Sequence, residues 1–331
     1  IAKVMCDLFD LTEGVLSFLP GQGETVGAHL VRHPQIDMIA FTGSAAVGQD
    51  ILKAAATHPP TGKLAKHVVC ETGGKNSIIV DASADLDEAV VGVRDSAFGF
   101  QGQKCSACSR VIVVDSAHDL FVERLVEATK SLHMADPADP ACDVGPVIDD
   151  EAAEKIRSYV EIGKQEATLA YEMPVPDGLA EKVGKPFVGP TIFTDVKPDA
   201  RIANEEIFGP VLAVITIDSF DEALRLANAP HYKLTGGVYS RMPSHLEQAR
   251  DEFVVGNLYL NRGCTGALVG RQPFGGFGMS GLGSKAGGVD YLKQFVVPRA
   301  VTENTMRRGF APQMEGAGQV GGDNAAIRAG G

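Results

Sequence analysis

Between Ile36 and Asp81 the chain reads strand, helix, strand, glycine turn, strand: "IDMIAF", "TGSAAVGQDILKAAATHP", "AKHVVCE", "TGGK", "NSIIVD". This order constrains the fold more than any other feature. Strands joined by a helix run the same way, so the stretch demands a parallel sheet and an α/β class of fold. "GVLSFLP" before it reads as a further short strand, and "ETVGAHLVRH" as a helix. After Asp85 the helices lengthen. "DLDEAVVGVRDSAF", "DLFVERLVEATKSL" and "DDEAAEKIRSYVEIGKQEA" carry apolar residues at helical spacing. "SRVIVVDSAH", "GPVLAVITI", "TGGVYS" and "VGNLYLNR" read as strands, with helices "SFDEALRLANA" and "SHLEQARDEF" among them. The length, 331 residues, exceeds what one core usually serves. We place a boundary near Gly73–Gly74. The last strand-like run is "KQFVVPRAVTEN", and the glycine- and alanine-rich tail after Arg308 lacks periodicity.

Composition excludes several partners. The net charge of −12 argues against nucleic acid, whose binding rests on Lys/Arg clusters. No apolar run approaches membrane-spanning length, and no signal peptide opens the chain. The chain starts at Ile1 within a helix-like stretch, "AKVMCDLF", which suggests a sequence beginning inside a larger protein. Six scattered cysteines fit a reducing, cytoplasmic setting.

The chemistry centres on "SAFGFQGQKCSACSR", residues 96–110, which holds Cys105 and Cys108. Structural zinc needs about four ligands, usually two close pairs, and only one C-x-x-C is present. A thioredoxin-like pair sits at a helix N-terminus after a strand, whereas here a glycine-rich loop precedes the pair and a strand comes after it. The third reading is one nucleophile, with a flexible approach and Lys104 beside it. Two buried core cysteines remain the plainer reading of this stretch alone.

The rest of the chain changes that balance. "FTGSAAVG", "CETGGKN", "NEEIFGPV" and "PFGGFGMSG", in this order with "GQKC", resemble the aldehyde dehydrogenase superfamily up to about Arg308. More finely, "SAFGFQGQKCSACSR", "GNLYLNRGCTGALVGRQPFGGFGMSG" and "GSKAGGVDYL" resemble the L-glutamate γ-semialdehyde (1-pyrroline-5-carboxylate) dehydrogenases. "CSACSR" looks more like the free-standing enzymes than the domain fused to proline dehydrogenase.

The resemblance implies the last part of a Rossmann-type NAD-binding domain over 1–73 and an α/β catalytic domain over 74–288. Beyond these it implies an oligomerisation strand over 289–305 and a flexible tail over 306–331. It implies Cys105 as nucleophile, forming a thiohemiacetal and then a thioester, and Glu71 as the base that activates water. A strand end feeding a glycine turn, as at Glu71, is also where α/β proteins place chemistry. Gly43, Ser44, Gly48, Thr72, Gly73, Glu206 and Phe208 are expected to hold NAD. The strand-to-helix turn at Ser44 suits an anion, although it is not a G-x-G-x-x-G fingerprint. Ser106, Gly266 and Ala267 are expected to bind the substrate's α-carboxylate, with Phe277 on its aliphatic middle. The family's oxyanion asparagine lies before Ile1. Lys75 reads as an ion-pair residue, Glu205 as structural, and Cys108 and Cys264 as bystanders. No metal is expected. The activity implied is NAD-dependent oxidation of glutamate semialdehyde to glutamate in proline catabolism, by a homo-oligomer that is at least a dimer. An aldehyde dehydrogenase for another ω-semialdehyde acid, or a truncated and weakly active fragment, are the alternatives.

Overall fold

Parity along the strands sets the architecture. In β3 (Asn76–Val80), β4 (Cys108–Val114) and β7 (Val211–Ile217) nearly every residue is buried. Neighbouring residues point to opposite faces. Ile78, Val80, Val111, Val113, Leu212 and Val214 therefore build one core, and Ile79, Ile112, Ala213 and Ile215 another. Such strands need helices on both sides. In this computed structural model, which describes residues 4–5, 8, 14–57 and 65–306, that is what they have. Helices α3 (Leu86–Phe98) and α4 (Asp115–Lys130) cover the first face. Helix α5 (Asp150–Glu166), with Phe220–Ala227 and Pro243–Glu252, covers the second.

These strands belong to a seven-stranded sheet. Its order is β10 (Asn257–Leu260), β9 (Thr235–Tyr239), β3, β4, β7, β6 (Thr191–Thr194), β5 (Thr168–Glu172). All neighbours are parallel except β5 against β6. The expected helix in "ETVGAHLVRH" forms as a π-helical turn, Gly23–Gly27, running into α1 (Ala28–Arg32). A separate three-stranded sheet joins β1 (Met38–Thr42) and β2 (His67–Glu71), which are parallel and linked through α2 (Ala45–Thr57). Its third strand, β12 (Gly281–Leu282), lies antiparallel on β2. The expected α/β class thus holds, with one rearrangement. "HVVCE" and "NSIIV", adjacent in sequence, enter different sheets, and the turn Thr72–Lys75 carries the chain from one to the other.

Two expected strands are not formed. "GVLSFLP" is exposed and lacks regular structure. "KQFVVPRAVTEN" gives a 3-10 turn over Tyr291–Phe295, and residues 296–306 have no regular structure. An extended segment is a strand only when a neighbour takes its backbone N–H and C=O groups, and neither segment has one among the described residues. The segment "AKVMCDLF" falls largely outside the described residues, and the tail after residue 306 falls wholly outside them.

Candidate active site

The two sheets present their strand ends to one cavity of about 880 Å³. Glu71 is the last residue of β2, and its carbonyl accepts a bond from the Gly43 N–H at 3.1 Å. Thr42, Gly43 and Ser44, between β1 and the N-terminus of α2, form one wall. The Ser44 hydroxyl accepts from the Val47 N–H at 3.3 Å and so caps the helix. Thr72 and Gly73 continue the floor, and the Thr72 hydroxyl donates to the Met279 carbonyl at 2.6 Å.

The loop before Cys105 is wound tightly. Phe100, Gln101 and Gly102 all have positive φ, 55°, 55° and 64°. Two consecutive non-glycine residues in that region store strain of about 1–3 kcal/mol each, which the surrounding packing must offset. A Cβ at Gly102 would fall on the Gly209 carbonyl, so this loop and the loop after Glu206 touch through bare backbone. Asn76, at the start of β3, clamps the segment around Cys105. Its amide donates to the Cys105 and Ala107 carbonyls, both at 2.8 Å, while its oxygen accepts from the Thr235 N–H at 3.0 Å.

The clamp presents Cys105, half-buried, to the cavity beside Ser106. Burial, then the negative charges of Glu71 and Glu206, push its thiol up, against the pull of the Ser106 and Cys105 N–H groups. The same N–H groups favour negative charge at this point. Glu71 is pushed up to about 7, because burial outweighs the attraction of Lys285. Its Oε2 is buried without a partner among the described residues. A carboxylate that accepts a proton near neutrality, beside a thiol in the same cavity, is the arrangement for acyl transfer through a base.

Glu206 and Phe208 form the opposite wall. Glu206 is half-buried, which raises its proton affinity, and it accepts from the Gly74 N–H at 2.8 Å. A Cβ at Gly73 would fall on its carboxylate, so the bare backbone at Gly73 is what lets Glu206 in. Phe208 holds φ 61° and stays partly exposed. Gly266, at φ 81°, and Ala267 close the far side. The donor set fits a dinucleotide: a capped helix N-terminus for phosphate, a half-buried acceptor at Glu206 for hydroxyls, and a ring at Phe208.

Two expected site residues lie elsewhere. Gly48 is buried in α2, where a Cβ would meet Thr72 Cγ2 at 2.9 Å, so it allows helix and turn to pack and does not line the cavity. Phe277 does not line the cavity either; it pairs with Lys233 in a two-residue ladder of β11 (Phe277–Gly278) and β8 (Tyr232–Lys233). The ring on the wall is Phe274, held by mutual backbone bonds with Ala286 at 2.8 and 2.7 Å. In "PFGGFG" two phenylalanines stand three apart, and only the path of the loop decides which faces inward.

Lys75 does not form the ion pair expected of it. It is buried, its Nζ has no hydrogen-bond partner, and burial lowers it to about 7. Glu205 is structural, accepting from Tyr159 Oη at 2.6 Å and from Arg201 at 2.9 and 3.0 Å. Cys108 and Cys264 are buried away from the cavity. Sequence reasoning missed Asn76, Phe274, Lys155 on the wall and Lys285 behind it. Asn76 left a trace, a polar side chain opening an otherwise apolar strand; the others left none. No group of three or more His, Cys, Asp or Glu among the described residues could hold a metal ion. No helix among them is long and apolar enough to cross a membrane.

The chain belongs to the aldehyde dehydrogenase family, which it matches over residues 1–301. It is 52% identical over 293 residues to a 1-pyrroline-5-carboxylate dehydrogenase of Geobacillus kaustophilus (strain HTA426), covering 88% of this chain and 56% of that one. Among solved structures it is similar to 1-pyrroline-5-carboxylate dehydrogenase from Thermus with bound NAD. That match has 50% identity and a TM-score of 0.81, and covers 89% of this chain and 57% of the other. It is equally similar in sequence, at 51%, to proline utilization A from Bdellovibrio bacteriovorus inactivated by N-propargylglycine. The TM-score there is 0.87, over 94% of this chain and 32% of that one. The chain spans about half the length of the curated relatives it matches. Proline utilization A from Bradyrhizobium japonicum is less similar, at 37% identity over 88% of this chain.

Proposed function

We propose that the protein oxidises L-glutamate 5-semialdehyde, formed from 1-pyrroline-5-carboxylate, to L-glutamate with NAD, in proline catabolism. The observation that carries this is the single cavity in which Cys105, Glu71, Glu206 and the Ser106–Gly266–Ala267 rim meet. The names of the relatives, and the NAD in the Thermus structure, support the choice of substrate and cofactor.

Cys105 attacks the aldehyde carbon. Its raised thiol gives up its proton to solvent as it does so. The oxygen of the resulting thiohemiacetal is stabilised by the N–H groups that already favour charge at Cys105. NAD, when bound, supplies the hydride acceptor that turns this adduct into a thioester. Glu71 then takes a proton from water as its oxygen adds to the thioester carbon, the carbon–sulfur bond breaks, and glutamate leaves. Gly43, Ser44, Thr72, Gly73, Glu206 and Phe208 hold the cofactor. Ser106, Gly266 and Ala267 bind the α-carboxylate, with Phe274 in the place first expected of Phe277. The domain boundary is assigned to Gly73–Gly74, with Glu71 before it and Glu206 and Phe208 beyond it, so both domains contribute to the site. The exposed Val296, Val297 and Val301 are assigned to a contact between copies in an oligomer, and the protein to the cytoplasm.

The test is Glu71→Gln in the full-length protein. A first-turnover burst of NADH should persist, with later turnover slowed by about 10²–10⁴-fold, the usual worth of a general base. A burst lost together with steady-state turnover removes Glu71 from deacylation.

A further inference from the structure

The base proposed above is half-buried, and its Oε2 is buried with no hydrogen-bond partner among the described residues. An isolated carboxylate in such a place would keep its proton, so something must favour the charged form. Glu71 raises the thiols of Cys70 beside it on β2 and of Cys105 in the same cavity, and it is coupled to Lys285 from the loop before the C-terminal 3-10 turn. Lys285 alone among these is a cation.

Its position is built. The loop 274–286 is closed by the Phe274–Ala286 bonds, and just beyond Gly278 the chain adds β12 onto β2, opposite Glu71 itself. Gly275 separates lysine from carboxylate. A Cβ there would stand 3.0 Å from Glu71 Oε1 and 3.4 and 3.5 Å from Lys285 Cα and Cγ. The glycine thus removes the side chain that would wedge the two apart. The Lys285 ammonium is anchored behind this point on the Gly256 carbonyl, and Gly256 in turn packs on the Gly275 carbonyl. The amine is therefore anchored on the Gly256 carbonyl and acts on Glu71 through its charge, not through a hydrogen bond.

We propose that Lys285 is the positioning residue of the active site: its ammonium, reaching past Gly275, holds Glu71 in the ionised form that accepts a proton from water. It transfers no proton itself. The direction of both shifts agrees: Lys285 lowers the proton affinity of Glu71, and Glu71 raises that of Lys285. Lys104 and Lys155, the cations on the cavity wall, are not among the groups that shift Glu71.

The proposal rests on Glu71 being the deacylation base, and the experiment separates the two. In the full-length protein, Lys285→Gln keeps a donor for the Gly256 carbonyl and removes the charge, whereas Lys285→Arg keeps the charge. NADH burst amplitude and the rate after the burst are measured across the acid limb, with glutamate semialdehyde and NAD. Lys285→Gln should keep the burst, and its acid limb should move to higher pH by about 0.5–1 unit. Lys285→Arg should overlay the parent. Lys285→Met, of similar length and also neutral, should move the limb as Gln does, and it takes the place of the Gln variant if that one melts below assay temperature. An unmoved limb in the folded neutral variant overturns the role of Lys285. A Glu71→Gln variant whose post-burst rate matches the parent overturns the base on which it rests.

Discussion

Glu71 shows how one residue couples chemistry to stability. The unfolded chain releases this proton in the ordinary glutamate range, whereas the folded chain keeps it to about pH 7. Within that window folding takes up a proton, so stability falls as pH rises and stays lower above it. Glu71→Gln cannot ionise. Its Tm should match the parent below about pH 4, where both are neutral, and exceed it by a few degrees at about pH 8. Equal melting at both would mean that water solvates Glu71 fully. Ser106 offers the specificity test. Its hydroxyl is assigned a bond to the substrate carboxylate, worth on the order of 1.5–3 kcal/mol. Ser106→Ala should lower kcat/KM for glutamate semialdehyde by roughly ten- to a hundredfold and leave that for propanal nearly unchanged. A parallel loss on both would place Ser106 in the service of Cys105.

At the scale of elements, the helices were plain in the sequence because their signals are local. Asp85, Asp149 and Ser219 each accept from an N–H three residues on, at 3.4, 2.9 and 3.3 Å, and so cap the helical runs that come after them. The edge pair "TLAYE" and "TIFT" was not visible. Its strands are short, and what makes them strands is pairing across some twenty residues of loop. The clamp at Asn76 likewise joins three segments through one side chain. Asn76→Ala leaves two buried carbonyls and a buried N–H without their partner. At about 1 kcal/mol for each bond, the loss should be roughly 3 kcal/mol. It is read as a lower denaturation midpoint at unchanged slope, with a fall in activity because the Cys105 loop loses its anchor. A change of less than about 0.5 kcal/mol would show that the loop holds itself.

At the scale of the molecule, residues 296–306 leave Val296, Val297, Val301 and Met306 exposed. If they serve contact between copies, Val297→Asp combined with Val301→Asp should shift the protein to monomer in light scattering without altering its circular dichroism. An unchanged mass would send the oligomer contact elsewhere. This is also the scale at which sequence and structure part company. The α/β class and the family could be read from the order of blocks, since each depends on neighbours within one strand, turn or helix. Which of Phe274 and Phe277 faces the cavity, that "HVVCE" and "NSIIV" part into two sheets, and that Lys285 lies near Glu71 could not. Those facts depend on where a loop returns after some two hundred residues, and the side-chain period along any one segment carries no information about what arrives opposite it.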